Sequence, residues 1–142
     1  RLNRAVDDAM GTVDERLQRA IDELPADGSD FLAWTDLAAD ARHELGAERP
    51  IAITVLDDGV QTIDPDLNQP LTIEDATRLA AEHAPGIDLH DTTVTIRGIG
   101  QIAGIPAPAG GEWVPALRTF ATNTCEATGA ACTVLAATGT AA

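Results

Sequence analysis

From residue 2 to residue 24, apolar side chains return at alternating steps of four and three. Val6, Met10, Val13, Leu17, Ala20 and Leu24 form the series, and Asn3 falls on it one step earlier. This is a narrow seam of heptad type, and it predicts a helix over 2–24. The flanking Asp7, Asp14, Arg16 and Glu23 give no set of complementary pairs of the kind a parallel coiled coil shows. The seam is therefore expected to pack on the chain's own second helix, with self-association as the alternative. Gly11, in the middle, costs such a helix about 1 kcal/mol against Ala.

Pro25 and "ADGSD" break the pattern. Ser29 or Asp30 can cap a second helix over 31–45, with Phe31, Trp34, Leu37, Ala38, Ala41 and Leu45 on one face. Gly46 and Pro50 stop it. The short loop makes the two helices an antiparallel pair. The period then changes to two. "IAITVL" (51–56) alternates and is β-branched, Asp58-Gly59 is a hairpin-turn signal, and "VQTI" reads as the returning strand. A helix is expected over about 73–84, closed by His83-Ala84-Pro85-Gly86, and "TTVTI" (92–96) is a further strand. Beyond it Gly98, Gly100, Gly104, Pro106, Pro108, Gly110 and Gly111 mark a loop or an irregular edge. "EWVPALRTFATNT" and "TVLAATGT" read as the last two strands.

The fold class these elements predict is α+β in a single domain, 1–142. An N-terminal helical hairpin (1–46) leads into a small, mostly antiparallel sheet region (50–142) with one crossing helix. A chain of 142 residues is long enough for one true core. Hydrophobic residues make up 44% but aromatics only 3%, so Ile, Leu, Val and Ala build that core around Phe31, Trp34, Trp113 and Phe120.

Charge narrows the function. Nine Arg and no Lys stand against 23 acids, a net of −14. Such a surface repels phosphate backbones and anionic lipid, which argues against nucleic-acid or membrane-surface binding. No apolar run is long enough to span a bilayer, and no signal peptide is visible. The chain opens on Arg1, not Met, which leads us to expect a mature or trimmed product with a signal or anchor before it.

Cys125 and Cys132 stand close in "CEATGAAC". They can be a disulfide clasping the last hairpin in an oxidising compartment, two free thiols, or metal ligands. The first reading is preferred. His43, His83 and His90 form no metal pattern with them.

The stretch "DPDLNQPLTIED" (64–75) carries the sharpest chemical motif. Asp64, Asp66, Asn68, Thr72 and Asp75 fill the first, third, fifth, ninth and twelfth positions of an EF-hand-type loop, with Leu71 at the hydrophobic eighth. It resembles a dockerin-like calcium loop closed by Asp, and that resemblance would make calcium a ligand. Two residues oppose it. Gln69 stands where the loop needs a left-handed Gly, and Pro70 pushes Gln69 toward extended geometry. The ordinary reading is a turn at Asp64-Pro65 followed by a Thr72–Asp75 capping box.

Other candidates are thinner. Gly98, Gly100 and Ala103 fit a dinucleotide fingerprint, but Gly104, Pro106 and Pro108 interrupt the helix it needs. Asp36, Asp40 and Glu44 follow one another at i, i+4 and could bridge a cation, or be a solvated face. His90 between Asp88 and Asp91 could serve acid–base chemistry, or be a turn. Ser29 is the lone serine, in a cap context. Asp57, Asp58, Asp64 and Asp66 crowd the ends of one strand, but no nucleophile, base and orienting group can be named together.

"AAEHAPGIDLHDTTVTI" (80–96) resembles the helix-then-strand segment of Tad-type minor pilins, which implies a place in a pilus or secretion apparatus. The resulting expectation is a non-catalytic extracytoplasmic domain of a cell-envelope or secreted protein. It would act by protein binding or self-association, without a cofactor. The alternatives are the sensor domain of a membrane receptor and a metal-assisted hydrolase.

Overall fold

A computed structural model describes residues 28–46, 49–102, 108 and 110–136, with Gly11, Glu15, Gln18 and Arg19 besides. The elements run α1 (Ala33–Leu45), β1 (Ile51–Leu56), α2 (Ile73–Glu82), β2 (Thr92–Ile99), α3 (Trp113–Glu126) and β3 (Ala131–Ala136). The strands form one open sheet in the order β1-β2-β3, and both neighbouring pairs are parallel.

This corrects the expected architecture. The sheet is not antiparallel, because Asp58-Gly59 does not make a hairpin. The Asp57 and Asp58 carboxylates accept the N–H groups of Gly59 and Val60, at 2.7 and 2.8 Å, and turn the chain away from β1. "VQTI" then lies beside the start of the α1 segment instead of β1. Ser29 and Thr62 exchange two hydrogen bonds, of 2.8 and 2.9 Å. Parallel neighbours need long crossovers, and each crossover here carries a helix.

The helical hairpin is also overturned as the organising unit. α1 lies against β1 and the common core. The other arm of that hairpin, 2–24, falls outside the described residues except at four positions, which are helical. Neither Ser29 nor Asp30 caps α1; the helix starts after Leu32 with no side-chain cap.

Residues 112–124, expected as a strand, differ most from the expectation. They form most of α3. Trp113, Ala116, Leu117, Phe120, Ala121, Thr124 and Cys125 are all buried, and their spacing is helical. Pro115 sits in the first turn, where its missing N–H costs nothing. The expected helix near 73–84 and the strands at 51–56 and 92–96 stand where the patterns placed them.

The core occupies one side of the sheet. Val94 and Ile96 of β2 are fully buried there, with Ile53, Val55, Cys132 and Val134 partly so. α3 and α2 pack against each other over this side. Phe31 meets Phe120 with ring centroids 6.4 Å apart. The Trp113 indole N–H donates to the carbonyl of buried Leu67 at 2.9 Å, which ties the loop before α2 to the start of α3. Arg42 of α1 donates to the His90 carbonyl and to the Thr92 hydroxyl, which fixes the start of β2.

Cys125 and Cys132 are disulfide-bonded. The bond joins the last turn of α3 to β3, so it clasps a helix–strand junction and not a hairpin. Closing so short a loop removes unfolded-chain entropy worth about 2–3 kcal/mol. Reduction should therefore lower the unfolding free energy by that amount in a denaturant titration. An unchanged midpoint would show that the bond contributes nothing to stability.

Candidate functional site

The helix-bearing side of the sheet is closed by core. On the other side no described element covers the sheet. Side chains alternate along a strand, so the residues between the core positions all point to that second side. The strand register aligns them in three rows: Ala52–Thr93–Ala131, Thr54–Thr95–Thr133, and Leu56–Arg97–Leu135. Every one is exposed except the half-buried Thr95. Leu56 is 78% exposed and Leu135 36%, large values for leucines in strands. All-parallel sheets are almost always covered on both faces, so this side is unusual.

The face is also chemically distinct. In a chain with 23 acids, none of its nine residues is acidic. It is small, apolar and hydroxylic, with Arg97 as its one charge. The alternation of Ala and Thr with larger apolar residues in all three strands was visible in the sequence. What was missing was the knowledge that the strands lie side by side.

β1 adds a second exposed feature, its backbone. The Asp57 N–H donates to the Arg97 carbonyl at 3.0 Å, so Asp57 points its main chain toward β2. By alternation Ile51, Ile53 and Val55 do the same. The main-chain groups of Ala52, Thr54 and Leu56 point outward, along an edge that no described strand covers. β1 carries no charge, proline or bulge to blunt this edge.

The loops at the carboxyl ends of β1 and β2 are locked together. The Gly100 N–H donates to the Asp58 carbonyl at 2.8 Å. Gly59 adopts φ of 77°, and a Cβ there would stand 2.6 Å from Ile99 Cδ1. Gly98 adopts φ of 102° and lies against the Asp57 carbonyl. The glycines of the dinucleotide-like motif thus serve a loop–loop contact, and among the described residues the next helix is the one from Trp113. Ala103, its third position, lies outside the described residues. Burial raises the Asp57 carboxyl above the ordinary range; the Gly59 N–H partly offsets this and the Asp58 charge adds to it.

The segment 64–75 is a built turn. Gln61, itself buried, donates to the Asp64 carbonyl at 2.8 Å. Asp66 accepts from the Asn68 N–H at 2.9 Å and, through its carbonyl, from the Gln69 side chain. Thr72 and Asp75 form the capping box of α2: the Asp75 N–H donates to Thr72 Oγ1 at 3.1 Å and the Thr72 N–H to Asp75 Oδ2 at 3.3 Å. The hydrogen bond from the Thr72 hydroxyl holds the Asp75 carboxyl below its ordinary value. The fold brings Thr72 and Asp75 together, whereas Asp64, Asp66 and Asn68 belong to the preceding turn. Among the described residues no three His, Cys, Asp or Glu side chains converge at metal-binding spacing.

At the opposite, amino-terminal end of the strands, His90 Nδ1 stands 2.7 Å from Asp88 Oδ1, and its Nε2 3.7 Å from Asp91. That hydrogen bond lowers the Asp88 carboxyl. All three side chains are well exposed. Beside them lies a shallow cleft of about 430 Å³, lined by Arg49, Asp91, Thr92 and Gly129 among others. Asp36, Asp40 and Glu44 lie exposed along α1.

No family model, curated protein or solved structure matches this chain. The bare face and the β1 edge are therefore weighed on their own chemistry. The acidic and polar residues of 57–58, 64–75 and 88–90 are engaged in turns, a cap and loop contacts.

Asp57 gives a pH test of the loop lock. Its folded pKa lies above the unfolded one, so ionisation weighs against the fold. The penalty is full above the folded value and fades as pH falls through it toward the unfolded one. Asp57→Asn keeps an oxygen for the Gly59 N–H. It should raise the melting midpoint at neutral pH, with the gain vanishing in acid. A gain independent of pH would mean that burial of the charge is not its cause.

Proposed function

We propose that this chain is a non-catalytic, extracytoplasmic domain that acts by binding another protein. The observation that carries the reading is the unblunted edge of β1, where Ala52, Thr54 and Leu56 present main-chain donors and acceptors beside a surface without acids, its one charge being Arg97. An extended segment of a partner can add as a further strand, with the main chain giving affinity and alternate side chains specificity. The disulfide supports an oxidising compartment. Among the described residues no helix is long and apolar enough to cross a membrane. A partner with basic residues flanking its strand suits the net charge of −14. Membership of a pilus or secretion apparatus would be compatible with strand addition, a mode by which some pilins complete their fold.

The test uses a photo-crosslinking residue placed at Ala52 in the full protein, in its native cell envelope. Strand addition predicts one discrete protein adduct, lost when Thr54→Pro removes an outward N–H. The same adduct at equal yield in Thr54→Pro would overturn the edge as the site. Labelling of Cys125 and Cys132 by a thiol reagent without prior reduction would overturn the compartment.

A further inference from the structure

We propose that the segment which adds to β1 is a strand in the image of β2: parallel to β1, with threonines alternating with Val and Ile, and a cation beside Leu56. This rests on the strand addition proposed above and names the chemistry of its partner.

The two outer strands carry the same residues. β1 holds Ala52-Ile53-Thr54-Val55-Leu56, and β3 holds Ala131-Cys132-Thr133-Val134-Leu135. Only Ile53 and Cys132 differ. The register sets each identical pair in one row across β2. Ala52 and Ala131 stand beside Thr93, Thr54 and Thr133 beside Thr95, Val55 and Val134 beside Ile96, and Leu56 and Leu135 beside Arg97.

Their main chains are also in the same phase. The Asp57 N–H donates to the Arg97 carbonyl, so Thr93, Thr95 and Arg97 turn their main-chain groups to β1. Val94 and Ile96 then turn theirs to β3, where the groups that meet them belong to Ala131, Thr133 and Leu135. The corresponding residues of β1 are Ala52, Thr54 and Leu56, and theirs are the groups that point outward. The free edge of β1 thus repeats, in side chains and in hydrogen-bonding phase, the edge of β3 that β2 occupies. The strand that fits β3 is the template for the strand that fits β1.

Burial and charge point the same way. Val94 and Ile96, with a strand on each side, are fully buried. Ile53 and Val55, in the same two rows, are only partly so. A Val and an Ile beyond them would cover the core side of β1. At the carboxyl end the template sets a cation in the row of Leu56. Asp57 and Asp58 follow directly, and neither forms an ion pair among the described residues. A cation at that place answers both carboxylates. A second copy is a poorer occupant. Its own free strand, β3, would bring Leu135 and no cation to this row, and each copy carries −14.

The probe is a fluorescent peptide of residues 91–99, followed by anisotropy as the full oxidised protein is added. Saturable binding is expected, weakened about tenfold or more when the peptide carries Arg97→Glu. Methylation of the main-chain nitrogens of Val94 and Ile96 in the peptide should abolish binding, because those N–H groups face β1. Methylation at Thr93 and Thr95, whose N–H groups face away, should leave it intact. Thr54→Pro in the protein should remove it. No binding, or the reverse sensitivity to methylation, which marks the free edge of β3, would overturn the proposal. The unlabelled peptide is then added to the cell envelope in which a crosslinker at Ala52 captures the partner, and displacement of the adduct is expected. An adduct that persists under saturating peptide overturns the β2-like pattern and leaves strand addition standing. An adduct made of two copies of this chain overturns the pattern too. Absence of any adduct overturns strand addition itself.

Discussion

All three strands run the same way, and every connection must travel back along the length of the sheet. That constraint governs the rest of the molecule. Each return carries a helix, α2 after β1 and α3 after β2. With the strands in simple order and crossovers of one hand, both helices fall on one side. The core therefore collects there, centred on α3, whose buried residues meet Val94 and Ile96 of the middle strand. The Trp113–Leu67 hydrogen bond and the Cys125–Cys132 bond fasten the two ends of α3, one to the loop before α2 and the other to β3.

The same constraint leaves the second side without a natural cover. In an antiparallel sheet a wet face is ordinary, and its outward residues are usually charged. Here they are Ala, Thr, Leu and one Arg. Among the described residues the acids lie elsewhere, on α1, on α2, at the ends of α3, and in the loops at both strand ends. Acids kept off one face make that face the place where close approach costs least electrostatically. The β1 edge next to it extends the same surface.

The polar motifs have a different logic. Thr72 and Asp75 close the first turn of α2; Asp57 and Asp58 receive the N–H groups that turn the chain out of β1; Asp88 and His90 shape the entry to β2. In each case a short acidic side chain serves a main-chain N–H at an element boundary, a local task for which Asp and Thr are suited. Their concentration at strand ends, which in the sequence looked like chemistry, follows from the number of boundaries a βαβ chain has to make.

The sequence by itself determined what depends on neighbours a few residues away. Period two placed β1 and β2, and a Thr-x-x-Asp cap with period 3.6 placed α2. It misled where two periods overlapped. In "EWVPALRTFATNT" the β-branched and aromatic residues suggested a strand, yet the buried set from Trp113 to Cys125 follows the helical period, because it must lie flat against a sheet already formed. Asp58-Gly59 suggested a hairpin, because Gly59 does take a positive φ; it does so to pass under Ile99, a residue forty positions away. Strand direction, the bare face and the free edge were decided only by the tertiary structure. They depend on which strand lies next to which, and that is settled by long-range burial against α3 and not by any local pattern.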